Sequence, residues 1–210
     1  MLHKLFCCLI GYVCGSFLTA EIVANRVAGK KAEHLGETGN PGMANIMRSL
    51  GFGPGMITLA GDILKCVLAM ALAWKLFPDV GRVAMMYAGF GCTLGHDFPF
   101  WRPLKGGKGV TTTCSAIIRY GWGWGILACL GALVVVIFSH YLCLGGPVSP
   151  LLFALIMALR KDYEAAVLSL LLSMLSAFRH RETIAGVFTG ETYRVDLIGS
   201  IRRKFSKSKK

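Results

Sequence analysis

Residues 126 to 144 read ILACLGALVVVIFSHYLCL, nineteen positions without a Lys, Arg, Asp or Glu. As an α-helix this run would extend about 28 Å, close to the hydrocarbon thickness of a bilayer. Six further apolar stretches occupy residues 5–27, 54–77, 80–94, 110–120, 148–159 and 163–178. The pattern predicts an all-α, polytopic membrane helix bundle of about seven spans.

The composition excludes a soluble globule. Hydrophobic residues make up 54% of the 210 and charged residues only 16%, whereas soluble domains average about 25% charged. Gly145-Gly146-Pro147 is predicted to end the 126–144 span, and the twelve residues that follow are short for crossing a membrane unaided. We expect one membrane domain over residues 1–210, with a basic cytoplasmic tail at 195–210 that contacts anionic lipid.

The distribution of cations predicts the topology. Sixteen of the 23 Lys and Arg residues lie in three segments, 26–50, 96–109 and 179–210. The positive-inside rule puts these segments and the C-terminus in the cytoplasm and the N-terminus outside, although Arg160 and Lys161 then fall on the wrong side. A net charge of +12 can also indicate nucleic-acid binding. In a chain this apolar we instead expect membrane lipid and an anionic substrate as partners, and no nucleic acid.

The first basic segment combines glycines with hydrogen-bonding side chains and an arginine. Its glycines allow backbone N–H groups to converge on an anion, and the planar guanidinium of Arg48 suits phosphate oxygens. The candidate phosphate-binding residues are Thr38, Gly39, Asn40, Gly42, Asn45 and Arg48. A solvated loop between two helices is the alternative for this segment taken alone.

The second basic segment places two ammonium groups beside bare backbone. It runs from His96 through Lys105-Gly106-Gly107-Lys108-Gly109, where a phosphate could approach closely. It is not a Walker A loop, because Gly109 stands where Ser or Thr would bind magnesium. The alternatives are a basic loop touching anionic lipid and, for His96, an ordinary histidine at a helix end.

The third basic segment opens with Arg179-His180-Arg181-Glu182-Thr183. Two flanking arginines should disfavour the cationic imidazole, which leaves His180 neutral and able to accept a proton. A positive flank that stops translocation is the alternative. Asp62 and Lys65 lie three residues apart inside an apolar stretch, so we expect them to pair with each other. No cluster of Asp, Glu, Cys and His has metal-ligand spacing, so no metal or cofactor is expected.

Together these segments resemble the small bacterial membrane-integral enzymes that transfer an acyl group from acyl phosphate to glycerol-3-phosphate. The likeness covers nearly the whole chain and is most specific in the second segment. The motifs that carry it are Gly15-Ser16, Gly39-Asn-Pro-Gly42 with Asn45 and Arg48, Asp62-Ile-Leu-Lys65, Gly95-His96 with Phe98-Pro99, Lys105-Gly-Gly-Lys-Gly-Val110, and Arg179-His180 with Gly190.

The resemblance implies an acyltransferase of phospholipid synthesis in a bacterial cell membrane, with its site facing the cytoplasm. Acyl phosphate and glycerol-3-phosphate would be its substrates, lysophosphatidic acid its product, and the enzyme that supplies acyl phosphate a further candidate partner. It implies that Thr38, Arg48 and Lys108 hold phosphate and that His180 sits at the reacting hydroxyl, with Thr183 beside it. The other implied substrate-binding residues are Gly39, Asn40, Gly42, Asn45, His96, Lys105, Gly106, Gly107 and Gly109.

Departures from the family pattern concentrate in the first and third segments. The family usually has Ser at Thr38, Thr at Ala44 and Asn at Thr183, and the carboxylate of Glu191 is moved by one place. Two alternatives therefore stay open. A divergent relative could use another phosphate-bearing acceptor or bind without catalysis, or an anion transporter could line its path with Asp62, Lys65 and Arg119.

Overall fold

The computed structural model describes residues 1–36, 39–102 and 105–196. These residues form ten α-helices and no β-strand, which confirms the predicted all-α class. The helices are α1 (Leu2–Gly15), α2 (Thr19–Ala28), α3 (Met43–Leu50), α4 (Phe52–Leu76), α5 (Ala84–Asp97), α6 (Val110–Tyr120), α7 (Trp122–Ser139), α8 (Gly145–Leu159), α9 (Tyr163–Arg179) and α10 (Arg181–Thr189). Most of the predicted basic tail, residues 197–210, lies outside the described part of the chain.

Four described segments are long and apolar enough to cross a membrane. They are Leu2–Ala28, Phe52–Leu76, Trp122–Ser139 and Leu142–Leu159. Helices α5 and α6 have only 14 and 11 residues, and most of the residues of α5 are buried against other helices. The chain is thus an all-helical membrane bundle, while the count of about seven spans and the direction of the termini stay predictions.

The interruption before α8 was predicted at the wrong residues. The 126–144 run does not continue to Gly145, because α7 ends at Ser139 and His140 adopts a left-handed conformation with φ 64°. Gly145-Gly146-Pro147 instead forms the first turn of α8. Proline is tolerated there, since the N–H groups of a first turn have no partner within the helix. The segment Leu142–Leu159 therefore reaches 18 residues, against the twelve expected from sequence.

The first apolar stretch is two helices joined by a bend rather than one. The bend leaves backbone carbonyl groups without partners in the helix, and side chains from distant segments supply the donors. Lys65 Nζ donates to Phe17 O at 2.8 Å, and Trp101 Nε1 donates to Ser16 O at 2.8 Å. The bend is therefore held by residues of α4 and of the loop after α5.

Helices α1 and α5 touch backbone to backbone through four glycines. A Cβ added at Gly11 would lie 2.0 Å from Ala88 O, and one added at Gly91 would lie 2.0 Å from Cys8 O. Gly15 and Gly95 make equivalent contacts one turn further along. Small residues spaced four apart allow membrane helices to approach this closely. The contact fixes the end of α5, where the second basic segment begins.

The N-terminus lies at the end of the bundle opposite to the glycine-rich loops. Lys4 pairs with Glu164 at the start of α9, and His3 Nδ1 lies 2.7 Å from Asp79 Oδ2 before α5. At the same end the Arg160 guanidinium lies 5.0 Å from the Trp124 ring centroid. His180 directly follows α9, and Lys108 lies in the connection between α5 and α6, both at the opposite end of the bundle. The two ends of the bundle therefore carry different sets of side chains.

Candidate active site

Arg179 holds the loop between α5 and α6 in place. Its guanidinium donates to Gly106 O at 2.9 Å and to Gly107 O at 2.8 Å. Gly107 N donates in turn to His96 O at 2.9 Å. Only glycine fits at these positions, because a Cβ at Gly107 would lie 2.0 Å from His96 Nε2 and one at Gly106 would lie 2.2 Å from His96 O. Arg179 and His96 thereby fix the turn that presents Lys108.

Asp62, Lys65 and His96 form a buried polar cluster behind that loop. Lys65 Nζ lies 2.9 Å from Asp62 Oδ1, so the predicted pairing is confirmed. The ammonium also lies 2.9 Å from His96 Nδ1, which must accept because an ammonium group only donates. Asp62 and Lys65 are thus paired within the bundle, and neither is paired with Arg119. His96 is 3% exposed and contacts the loop from inside, so its predicted contact with substrate stays a prediction.

Lys108, Thr183 and His180 come together at the mouth of the bundle. Lys108 Nζ donates to Thr183 Oγ1 at 3.3 Å, which joins the second basic segment to the third. His180 is the N-cap of α10, and Thr183 lies three residues later in the first turn of that helix. His180 Nδ1 lies 2.9 Å from Ser176 O. A carbonyl oxygen can only accept, so Nδ1 carries the proton and Nε2 is left as the basic nitrogen.

Burial is the main reason that His180 favours its neutral form. The imidazole is 6% exposed, and desolvation lowers its pKa below 6.5, with smaller contributions from Lys108 and Arg179. The predicted direction of the His180 pKa is confirmed, and Arg179, one of the two flanking arginines, contributes to it, but burial is the larger cause. The Arg181 guanidinium is directed elsewhere, since it donates to Phe178 O at 3.1 Å and pairs with Glu182. Burial and Arg179 also lower the pKa of Lys108.

The first basic segment forms a turn that leads into α3. Gly39 has a left-handed φ of 55°, and Gly42 N donates to Asn40 O at 2.8 Å before α3 begins. Asn45 is buried and donates to Leu35 O at 2.9 Å, so its amide nitrogen supports this turn. Arg48 is exposed and makes no hydrogen bond or ion pair within the described residues. Thr38 lies outside the described residues.

Two glutamates connect the first segment to the second. Arg102 pairs with both Glu21 and Glu33, and Lys105 Nζ lies 3.4 Å from Glu33 Oε2. The Lys105 side chain is 65% exposed, which is more than expected of a cation that is buried against a bound substrate. The two lysines of the Lys105–Lys108 motif therefore occupy different surroundings, because Lys108 contacts Thr183 whereas Lys105 contacts Glu33 at the edge of the loop.

An apolar groove starts beside this cluster and runs between α4 and α6. It encloses about 480 Å³ and is lined by Leu59, Ile63, Val67, Val110, Cys114 and Ile118. A Cβ placed on Gly146 would lie 3.0 Å from His180 Cε1 and 3.3 Å from Val110 Cγ2. The imidazole and the first residue of α6 are therefore neighbours, and the groove opens next to the candidate base.

Three residues of the site were not among the candidates from sequence. Arg179 was noted only as a charge beside His180, yet it holds the loop carbonyls. Ser176 sets the tautomer of His180, and Gly146 of α8 leaves room for the imidazole ring. The contact between Ser176 and His180 could have been predicted, because the two residues are four apart along a helix. Nothing in the sequence links Gly146 to His180, which is 34 positions away.

The sequence profile of the family described as glycerol-3-phosphate acyltransferase matches residues 5–190. The chain belongs to this family. Among glycerol-3-phosphate acyltransferases of known sequence, "Glycerol-3-phosphate acyltransferase 1" of Lactobacillus acidophilus is 34% identical over 201 residues, covering 96% of each chain. A glycerol-3-phosphate acyltransferase of Thermotoga petrophila is 33% identical over 189 residues, covering 90% of this chain and 95% of the relative.

Crystal structures of a glycerol-3-phosphate acyltransferase share the fold. The integral membrane protein PlsY (YgiH) in its glycerol 3-phosphate form superposes with a TM-score of 0.79 at 25% identity, covering 94% of this chain and 98% of PlsY. Its lysophosphatidic acid form gives a TM-score of 0.76 at the same identity, covering 91% and 94%. The family predicted from the three basic segments is confirmed.

Proposed function

We propose that the protein transfers a fatty acyl group from acyl phosphate to glycerol-3-phosphate, giving lysophosphatidic acid for phospholipid synthesis. A hydroxyl oxygen of glycerol-3-phosphate attacks the acyl carbonyl carbon. The bond from that carbon to the phosphate oxygen breaks, and inorganic phosphate leaves with the electron pair. The attacking hydroxyl gives up one proton. Acyl phosphate is already an activated anhydride, so the protein needs mainly to orient two anions and accept that proton.

The observation that carries this proposal is the junction of Lys108, Thr183 and His180. The basic Nε2 of His180 accepts the hydroxyl proton, while Ser176 O keeps Nδ1 protonated and the ring oriented. Lys108 offsets the charge of a substrate phosphate, and Thr183 Oγ1 keeps its ammonium group at the site in the absence of that phosphate. Thr38 and Arg48 are assigned to the second phosphate, with Gly39, Asn40, Gly42 and Asn45 shaping that turn.

The loop from His96 to Gly109, called the phosphate loop below, is assigned to the phosphate of the acyl donor, which leaves in the reaction. Arg179 occupies the carbonyl oxygens of Gly106 and Gly107, which removes two acceptors that would repel an anion. His96 positions the loop from the inside, and Lys105 adds a second cation at its edge. The acyl chain of the donor then extends into the groove between α4 and α6, because that groove begins at Val110, directly after the phosphate loop.

The proposal places this site at the cytoplasmic face of a bacterial cell membrane. In support, the described parts of the three basic segments lie at one end of the bundle and the N-terminus at the other, and the positive-inside rule assigns the basic end to the cytoplasm. PlsY crystallised in forms with glycerol 3-phosphate and with lysophosphatidic acid, the proposed acceptor and product of this chain. Acyl phosphate, and the enzyme that supplies it, are the remaining proposed partners.

The decisive test mixes detergent-solubilised protein with palmitoyl phosphate and glycerol-3-phosphate. We expect phosphate release together with lysophosphatidic acid identified by mass. Lys108→Ala should lower kcat/KM by roughly 30-fold or more, since loss of one partner of a desolvated charge pair costs about 2–5 kcal/mol. Lys75→Ala, at the opposite end of α4, is the control and should keep the wild-type rate. Acceptor binding without phosphate release would instead indicate a relative that uses another acceptor or only binds.

A further inference from the structure

The groove between α4 and α6 ends at an arginine. The two helices start at the same end of the bundle and run side by side, because Cys66 Sγ contacts Thr112 O near the start of α6 and Trp74 shares a cavity with Tyr120 near its end. Arg119 lines the far end of the groove and also a second cavity of about 400 Å³ beyond it. An acyl chain that enters beside Lys108 therefore approaches Arg119 with its methyl terminus.

Within the described part of the chain, no partner explains the position of Arg119. Its half-buried side chain makes no hydrogen bond or ion pair with any residue that the structure describes. Arg82, in the same second cavity, donates to Tyr120 O and lies 4.6 Å from the centroid of the Tyr120 ring. A guanidinium at the end of an otherwise apolar groove disfavours an apolar chain there. The chain would displace the water that solvates the charge and would offer no hydrogen bonds in its place.

We infer that Arg119 limits how far the acyl chain of the donor extends along the groove and so sets the chain-length preference of the enzyme. The inference rests on the proposed function. From Val110 to Arg119 the helix rises about 13.5 Å. An extended chain advances roughly 1.2 Å per bond, so about eleven carbons reach Arg119 from the phosphate loop. Chains of about twelve carbons fill the groove lengthwise, and longer ones have to turn sideways into the lipid.

The test is a series of acyl phosphates from eight to eighteen carbons, with kcat/KM measured for each. In the wild-type protein the value should be highest near twelve carbons. In Arg119→Leu the optimum should move to longer chains, and the ratio of the sixteen-carbon to the twelve-carbon substrate should rise on the order of tenfold, as for a methylene or two newly accommodated in an apolar pocket. Ile118→Phe narrows the groove before its end and should move the optimum to shorter chains.

Arg160→Leu is the matched control. It removes a cation from the same end of the bundle, where Arg160 lies over Trp124 and does not line the groove. A length profile that is unchanged in Arg119→Leu, or shifted equally in Arg160→Leu, would overturn the inference. The second result would mean that these arginines only anchor the protein to lipid headgroups.

Direct binding separates this inference from the proposed function. Alkyl monophosphates of eight to eighteen carbons carry the same phosphate and chain but cannot transfer an acyl group, and their binding can be followed by a shift in melting temperature. A length dependence of binding that changes in Arg119→Leu supports the groove limit even in a protein without turnover. If wild type, Arg119→Leu and Arg160→Leu all turn over with identical length profiles, the proposed acyltransferase function stands and the role of Arg119 is rejected.

Discussion

Gly146 lies outside the three basic segments, yet its replacement by alanine should impair catalysis. Gly146 belongs to the first turn of α8 and faces the candidate base. A Cβ there would lie 2.7 Å from Ser176 Oγ and 3.0 Å from His180 Cε1. Carbon atoms pack best at about 3.5–4.0 Å, so the imidazole has to move by several tenths of an ångström.

The size of the effect follows from this displacement. A misplacement of about 1 Å at a reacting group lowers a rate by roughly 100-fold, so a shift of about half that size should lower kcat roughly tenfold in Gly146→Ala. The KM values should change less, because Lys108 and Arg48 do not contact the new methyl group. Overpacking of this kind destabilises a protein by about 1–3 kcal/mol. The variant should therefore still fold, with a reduced melting temperature.

Gly145→Ala is the control for this experiment. Its Cβ would lie 3.0 Å from Val136 Cγ2 and touch nothing near His180, so it introduces comparable crowding one residue away. Initial rates of phosphate release at saturating substrates, with melting temperatures of both variants, provide the comparison. Equal losses of kcat in the two variants, or a Gly146→Ala rate within twofold of wild type, would show that the position of His180 does not depend on this contact.

Three further results are expected. Thr183→Asn should keep or raise the rate, because an amide oxygen still accepts from Lys108 Nζ, whereas Thr183→Val should raise KM several-fold; a loss in both would show that this position has another role. Because burial lowers the pKa of His180, its neutral form persists below pH 6.5, so kcat at saturating substrates should stay level there and fall only at lower pH; a kcat profile that already bends at or above pH 6.5 would contradict the assignment of His180 as the base. Gly91→Ala should prevent close packing of α1 on α5 and sharply lower the melting temperature, whereas Gly53→Ala, with nothing within 4 Å of its Cβ, should not; equal melting temperatures would contradict the described contact.

Much of this architecture follows from local sequence pattern. The apolar runs predict the helical class, and the pairing of Asp62 with Lys65 follows from a three-residue spacing that puts both on one helix face. The break before α8 was misplaced, because Gly145-Gly146-Pro147 is as compatible with the first turn of a helix as with its end. The break lies instead at His140, which has a left-handed backbone conformation that sequence pattern does not predict for a histidine.

The site was predicted less completely, because its contacts join segments that lie far apart along the chain. Lys108 and Thr183 were both candidates, but their hydrogen bond spans 75 positions and no local pattern encodes it. Lys105 and Lys108 look alike in sequence, yet Glu33 separates their roles by holding only the first of them. The neutral state of His180 was predicted from its charged neighbours, whereas burial, which sequence does not reveal directly, is the larger cause.

The bend between α1 and α2 has a consequence for how the chain is assembled. Its two carbonyl groups without a helical partner, at Ser16 and Phe17, accept hydrogen bonds from donors that are synthesised 85 and 48 residues later. Until Lys65 and Trp101 have been synthesised, these oxygens need water, so the first helical pair cannot settle in hydrocarbon in its final form. The bend can therefore reach its final form only after Trp101, in the connection between α5 and α6, has been synthesised.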